Sequence, residues 1–226
     1  MEVLYQDNHI IIVNKAPGEI TQGDRTGDVT LVQQVKDYIK ETFHKPGNVF
    51  LGVVHRLDRP TSGIVVYAKT SKALSRMNAL FRSNDIQKTY HAIVEKPPVP
   101  DQGKLVHHLK KNEQQNKSYT VTPATTGAKQ AILSYRTIAY SDHYTLLSVT
   151  LQTGRHHQIR CQLSAIGSPI RGDLKYGARR SNPNGSISLH AHRIQFIHPV
   201  SQLPIDITAP YPKEDPLWAY FANLQP

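Results

Sequence analysis

Short β-branched runs that end in Pro/Gly turns, interleaved with apolar residues spaced every four positions, restrict this chain to a sheet with helices laid against it. Asn8-His-Ile-Ile-Ile-Val-Asn-Lys15 has an apolar centre and is closed by Pro17-Gly18, which predicts a buried strand ending in a turn. From Thr30, a candidate N-cap with Gln33 three residues on, Leu31, Val35, Ile39 and Phe43 share one helical face, and Pro46-Gly47 stops the helix. A second helix is expected from Ser71, with Leu74, Met77 and Phe81 on its apolar side and Arg76 and Arg82 toward solvent. Further strands are expected at 63–69, 88–94, 132–140, 144–152 and 188–199. Arg155 to Ala165 reads as a helix ended by Gly167 and Pro169, and Asp215-Pro216 opens a terminal helix with Leu217, Trp218, Phe221 and Leu224 to pack. Hairpin-like neighbours at 132–152 make the fold class α+β, a mixed and largely antiparallel sheet with flanking helices. At 226 residues, the chain 1–226 fits a single domain, or two subdomains sharing a core. Residues 97–130 follow the stiff Pro97-Pro98-Val99-Pro100 segment and are rich in lysine (Lys104, Lys110, Lys111, Lys117, Lys129). They read as an insertion, either an arm that grips phosphates or a solvated hairpin.

Lys and Arg number 27 against 17 Asp and Glu, a formal charge of +10 and a pI near 9.7. Polyanions are the partners such a surface attracts, and nucleic acid is the commonest of them. No apolar run approaches the ~20 residues that cross a bilayer, and Met1-Glu2-Val3-Leu4-Tyr5 lacks the basic-then-apolar layout of a secretion signal. A cytoplasmic location without membrane contact is the expectation, and the lone Cys161 reads as a packed thiol.

One nonapeptide concentrates chemistry: His55-Arg-Leu-Asp-Arg-Pro-Thr-Ser-Gly63 sets Asp58 among arginines in a turn-forming loop that leads straight into a strand. Nearby guanidinium groups favour the ionised carboxylate, so Asp58 is a candidate nucleophile. A plain surface Asp-Arg pair, worth ~0 to 1 kcal/mol, is the competing reading. Farther on, Arg155, His156, His157 and Arg160 would line an anion pocket at the start of their helix. There are 12 histidines, but no Cys or carboxylate cluster completes a zinc set, and neither metal nor other cofactor is expected. No second acid lies near Asp58 to make a two-carboxylate glycosidase.

Taken together, these segments resemble the pseudouridine synthases of the RluA type, which isomerise uridine in ribosomal or transfer RNA. The resemblance rests on Asp7-Asn-His-Ile-Ile-Ile-Val-Asn-Lys-Ala-Pro-Gly18, the His55–Gly63 motif and Lys88-Thr-Tyr90. It continues through Thr153-Gly-Arg-His-His-Gln-Ile-Arg160, Gly172-Asp-Leu-Lys-Tyr-Gly177, Leu189-His-Ala-His-Arg-Ile-Gln-Phe196 and His198-Pro199. It implies a pseudouridine synthase-like fold with a central catalytic cleft. By the same resemblance Asp58 is the essential aspartate, Tyr90 packs on the target base and Arg160 pairs with the aspartate. Arg56 would enter the RNA stack where the uridine flips out, Leu189 would floor the base, and Arg155 and His157 would contact RNA. Asp173 and Tyr176 belong to a segment of structural role. Attack at C1′, attack at C6 and assistance to a glycal intermediate all remain open chemistries. The opening motif departs from the family's Lys-Pro-x-Gly, since Ala16 precedes Pro17 here. The chain starts directly at that motif, so no S4-like RNA-binding domain is expected in front of it. The expected partner is a stem-loop of ribosomal or transfer RNA, bound by a monomer, and the alternative is a non-catalytic basic RNA-binding protein.

Overall fold

The computed structural model describes residues 1–23 and 27–224. Its elements run β1 (Glu2–Gln6), β2 (Ile10–Lys15), α1 (Leu31–Thr42), β3 (Gly52–Val53), β4 (Ser62–Ala68), α2 (Ser71–Ser83) and β5 (Gln87–Val94). There follow β6 (Gln102–Asn112), β7 (Lys117–Val121), β8 (Lys129–Tyr140), β9 (Thr145–Leu151), α3 (Gln158–Ala165) and a 3-10 turn (Leu174–Tyr176). The chain closes with β10 (Leu189–Ile197), β11 (Pro204–Thr208) and α4 (Pro216–Ala222). They fall into two compact units, residues 1–87 with 191–212, and residues 88–190 with 213–226.

In the first unit β2 is antiparallel to both β1 and β4, β3 also pairs with β4, and β10 pairs with β11. The continuous burial of Ile10, Ile11, Ile12 and Val13 matches the predicted strand, because a run apolar on both faces suits a strand covered on both faces. Thr30 caps α1 by accepting from Gln33 N at 3.1 Å, and Leu31, Val35 and Ile39 are the buried stripe. Gln33 does not return the favour, since its side chain donates to Asp37 at 2.7 Å. Helix α2 packs on β3 and β4, with Ala73 and Met77 as its buried residues. Arg76 is exposed, as expected, and its Nη1 also donates to the Pro199 carbonyl at 2.9 Å. Strand β1 was not foreseen, because Glu2 to Gln6 mixes exposed and half-buried side chains with no clean alternation.

In the second unit the strand order is β5-β9-β8-β6-β7, antiparallel throughout. Within 97–130, Gln102–Asn112 and Lys117–Val121 form a hairpin, the second of the two readings of this segment, and β6 is ruled to β8 from Gln102↔Arg136 to Leu109↔Lys129. Lys104, Lys110, Lys111 and Lys117 give these strands the composition of a polar arm. Helix α3 packs on β6 and β7, where Gln162 donates Nε2 to the Leu105 and Ala131 carbonyls. Asp215 caps α4 by accepting from Leu217 N at 3.1 Å, and Trp218 and Phe221 are buried while Leu224 lies exposed past the helix end. Both units set helices against antiparallel sheet, so the α+β class holds.

Candidate active site

Lys15 organises the Asp58 loop. Its buried ammonium donates to the carbonyls of Ala16 (2.9 Å), Arg59 (3.1 Å) and Thr61 (2.7 Å), three acceptors for three N–H groups. Burial pulls this ammonium down to about 8, and the carboxylates of Glu19 and Asp58 push the other way. On the other side of the loop, Thr21 brackets Leu57 by donating Oγ1 to its carbonyl (3.2 Å) and accepting from its N–H (3.3 Å). Thr61 N donates to the Asp58 carbonyl at 3.0 Å and closes the turn, while Arg59 carbonyl accepts from Gly18 N at 2.8 Å. Arg59 itself turns outward to Gly18 O (3.1 Å) and Asp28 (2.9 Å). Asp58 is left half-buried, Leu57 buried and Arg56 exposed.

His55 opens the motif and serves the strand. Its Nε2 accepts from Val66 N at 3.0 Å, and the ring stacks on Phe81 with centroids 4.9 Å apart. Gly63 closes the motif at φ +109°, where a Cβ would stand 2.3 Å from the Ala191 carbonyl oxygen. Only glycine allows β4 to pass β10 this closely.

In the second unit, Tyr90 is buried on β5 opposite Val149 of β9. Arg160 is buried on α3 and clasps Asp173 with two parallel bonds, Nε to Oδ2 at 2.6 Å and Nη2 to Oδ1 at 2.8 Å. Its guanidinium also lies over the Tyr176 ring, 5.0 Å from the centroid. Asp173 and Tyr176 therefore have the structural role expected of their segment, gripping Arg160 so that its orientation is fixed. Leu189 is buried at the start of β10.

The anion pocket read at 155–160 does not form as drawn. Helix α3 begins at Gln158, one turn's reach later than expected, because His157 sits in the left-handed region at φ 52°. Gln158 Oε1 accepts from Arg155 N (2.9 Å) and Thr153 Oγ1 (2.8 Å), closing the preceding turn. The two imidazoles stack with centroids 3.8 Å apart, where neighbours on a regular helix would diverge. His157 is buried and shares a 3.0 Å hydrogen bond with the Tyr176 hydroxyl. Burial, with Arg160 and other cations nearby, drives it down to about 2, so it is neutral and offers no positive charge to an anion. Arg155 is exposed, with Nε on the Gln130 carbonyl at 2.8 Å. Among the described residues no group of three His, Cys, Asp or Glu is placed to hold a metal ion, and no helix is long and apolar enough to cross a membrane.

Sequence reasoning passed over Lys15 and Thr21 as working parts. Lys15 was legible as a lysine ending an apolar strand just before a Pro-Gly turn, whereas Thr21 has no local signal, since its partner is 36 residues away.

Residues 9–165 match the RNA pseudouridylate synthase family model. The chain is 33% identical to tRNA pseudouridine synthase C of Pectobacterium carotovorum over 92% of its own length and 58% of that protein's. It is 31% identical to ribosomal large subunit pseudouridine synthase D of Zymomonas mobilis, over 95% of this chain and 70% of the relative. Among solved structures it is similar to human RNA pseudouridylate synthase domain containing 4, with a TM-score of 0.80 at 21% identity, covering 97% of this chain and 92% of the other. With the fold, the order of the motifs and these matches in agreement, the chain belongs to the RNA pseudouridylate synthase family.

Proposed function

We propose that this chain isomerises specific uridines of ribosomal or transfer RNA to pseudouridine, with Asp58 as nucleophile, Tyr90 against the target base and Arg160 holding the aspartate ionised and oriented. The observation that carries the reading is the family match across 9–165, which includes the His55–Gly63 motif intact. The reaction breaks the N1–C1′ bond, turns the uracil and forms C5–C1′, while the proton of C5 leaves and N1 regains one. Atoms and electrons balance within the nucleoside, so acid, base and nucleophile suffice and neither metal nor organic cofactor enters.

Each role has physical support. A carboxylate on a loop clamped by Lys15 and Thr21 meets its substrate already in position. Arg160, fixed by Asp173, presents a guanidinium whose geometry does not have to be organised during the reaction. A tyrosine ring is a flat wall on which uracil can stack when it leaves its neighbours. Exposed Arg56 would fill the gap in the RNA stack, where a planar cation replaces the lost base, and exposed Arg155 would meet phosphate. Leu189 would floor the base. The substrate would be a stem-loop uridine, which costs least to flip, bound by a monomer in the cytoplasm.

The test is RNA carrying 5-tritiated uridine, incubated with the full chain and a strong chelator and no added cofactor. Tritium released to water is the expected result, with Asp58→Asn binding the same RNA and releasing none. Absence of release from ribosomal and transfer RNA transcripts would leave a non-catalytic RNA-binding protein, and turnover by Asp58→Asn would remove the nucleophile.

A further inference from the structure

The sheet of the second unit has one face packed by α3, and its other face is open over β6, β7 and β8 while Ser148 of β9 on that side is buried. On the open side the register aligns Gln102 (β6), Arg136 (β8) and Ser148 (β9) in one row, and Lys104, Ser134 and Thr150 in the next. Alternation along β6 continues this face through Val106 and His108 to Lys110, which stands directly opposite Tyr119 of β7. Lys104, Lys110 and Arg136 are exposed, Val106 is 50% exposed and Tyr119 40%. No aspartate or glutamate occupies any of these positions. Among the described residues neither Lys104 nor Arg136 has an ion-pair partner. A shallow groove of about 430 Å³ lies at the rows, and its lining includes Gln102, Ser134, Arg136, Ser148 and Thr150 together with Gly103 and Tyr135 of the opposite alternation.

We infer that this open face is a second RNA contact, which takes the sugar-phosphate backbone of a segment flanking the target. The inference rests on the RNA-directed reading above and extends it to a face on which no catalytic group stands: Tyr90 pairs with Val149, whose side chain points to the opposite side from Ser148 and Thr150. Charge complementarity selects the occupant. Three cations without a carboxylate, beside rows of hydroxyls, suit phosphates and 2′-hydroxyls, and an exposed tyrosine offers a stacking surface to an unpaired base. Lys104 and Lys110 are rooted ~20 Å apart along the strand, and Arg136 is a diagonal neighbour of Lys104 at ~7–8 Å, so the cations track an extended strand more than a compact anion. Lys117 supplies the route around the sheet edge. Its Nζ lies 5.2 Å from the Tyr119 ring on the open face and 5.1 Å from the Tyr176 ring beside α3.

The experiment uses the full chain and a fluorescein-labelled RNA hairpin with uridines in its loop and single-stranded tails. In Lys104→Gln/Lys110→Gln/Arg136→Gln, the slope of log affinity against log salt should flatten by roughly two to three, with affinity near 0.1 M salt down at least tenfold. Turnover at saturating RNA and the melting temperature should be those of the parent. In parallel, 4-thiouridine in the tails of the same RNA should photo-crosslink the unsubstituted chain within 102–136, an arm independent of how the variant folds. An unchanged slope in the folded variant, or crosslinks that avoid 102–136, overturns the inference. Tritium release by the parent, measured alongside, separates the two claims: release with an unchanged slope sinks only the open face, and a flattened slope without release sinks only the isomerase reading.

Discussion

Lys15 donates its buried ammonium to the Thr61 carbonyl at 2.7 Å and so ties the end of β2 to the far side of the Asp58 turn. The strand comes first in the chain and the loop 46 residues later, yet the loop has its shape because this amine satisfies three of the carbonyls around it.

Lys15→Met keeps an unbranched side chain, one atom shorter, and removes every donor. Leaving buried acceptors unmet costs about 1–3 kcal/mol, so a urea titration should show a loss of roughly that size. Turnover at saturating RNA should fall further than stability alone explains, because the turn that carries Asp58 loosens. Full turnover in this variant would show that the loop holds itself.

Gly63→Ala should lower stability by about 1–3 kcal/mol or more, from a left-handed residue that now has a Cβ and from the clash with the Ala191 carbonyl. Thermal melting reads this directly. Gly18→Ala, also at positive φ but with nothing near its Cβ, should cost less.

His157 ties acid tolerance to burial. An unfolded histidine titrates near 6.5, whereas here it is held at about 2, so between those values the unfolded chain binds a proton that the folded one refuses. Stability from this group is intact above pH ~6.5 and is lost as pH falls, at up to ~1.4 kcal/mol per unit. His157→Asn, which tolerates the left-handed backbone, should flatten the decline between pH 6.5 and 4.5 in urea unfolding. A parent and variant with parallel pH profiles would contradict the assignment.

Arg160→Lys should destabilise by about 1–3 kcal/mol, because a single ammonium keeps the charge but cannot reproduce the two-pronged bond and leaves buried Asp173 partly unmet. If Arg160 also orients Asp58, as proposed, the turnover losses of Asp58→Asn and Arg160→Lys will not add in a double-mutant cycle. Additive losses would separate the two residues.

Strand β2, helices α1, α2 and α4 and the caps Thr30 and Asp215 were legible because each is specified by its own neighbours: a β-branched run, a four-residue apolar spacing, a hydroxyl or carboxylate one residue ahead. The start of α3 was not. Arg155-His-His-Gln carries no cap, and what holds His157 out of the helix is Tyr176, nineteen residues on, together with Gln158 folding back on Thr153. Within 97–130 a hairpin could be read but its pairing with β8 could not, since a sheet with one wet face needs apolar side chains only at every second position. Asp58 could be singled out from its motif, but the groups that shape its loop, Lys15 and Thr21, lie far away in sequence.

Cys161 is 5% exposed, with its thiol directed at the Ser118 carbonyl and raised by burial to about 11. Toward maleimides and iodoacetamides at neutral pH the native protein therefore behaves as if it had no cysteine. Two cysteines, one introduced on each unit, can carry dyes or spin labels in the otherwise unaltered protein, so distances between the units can be followed as RNA is added.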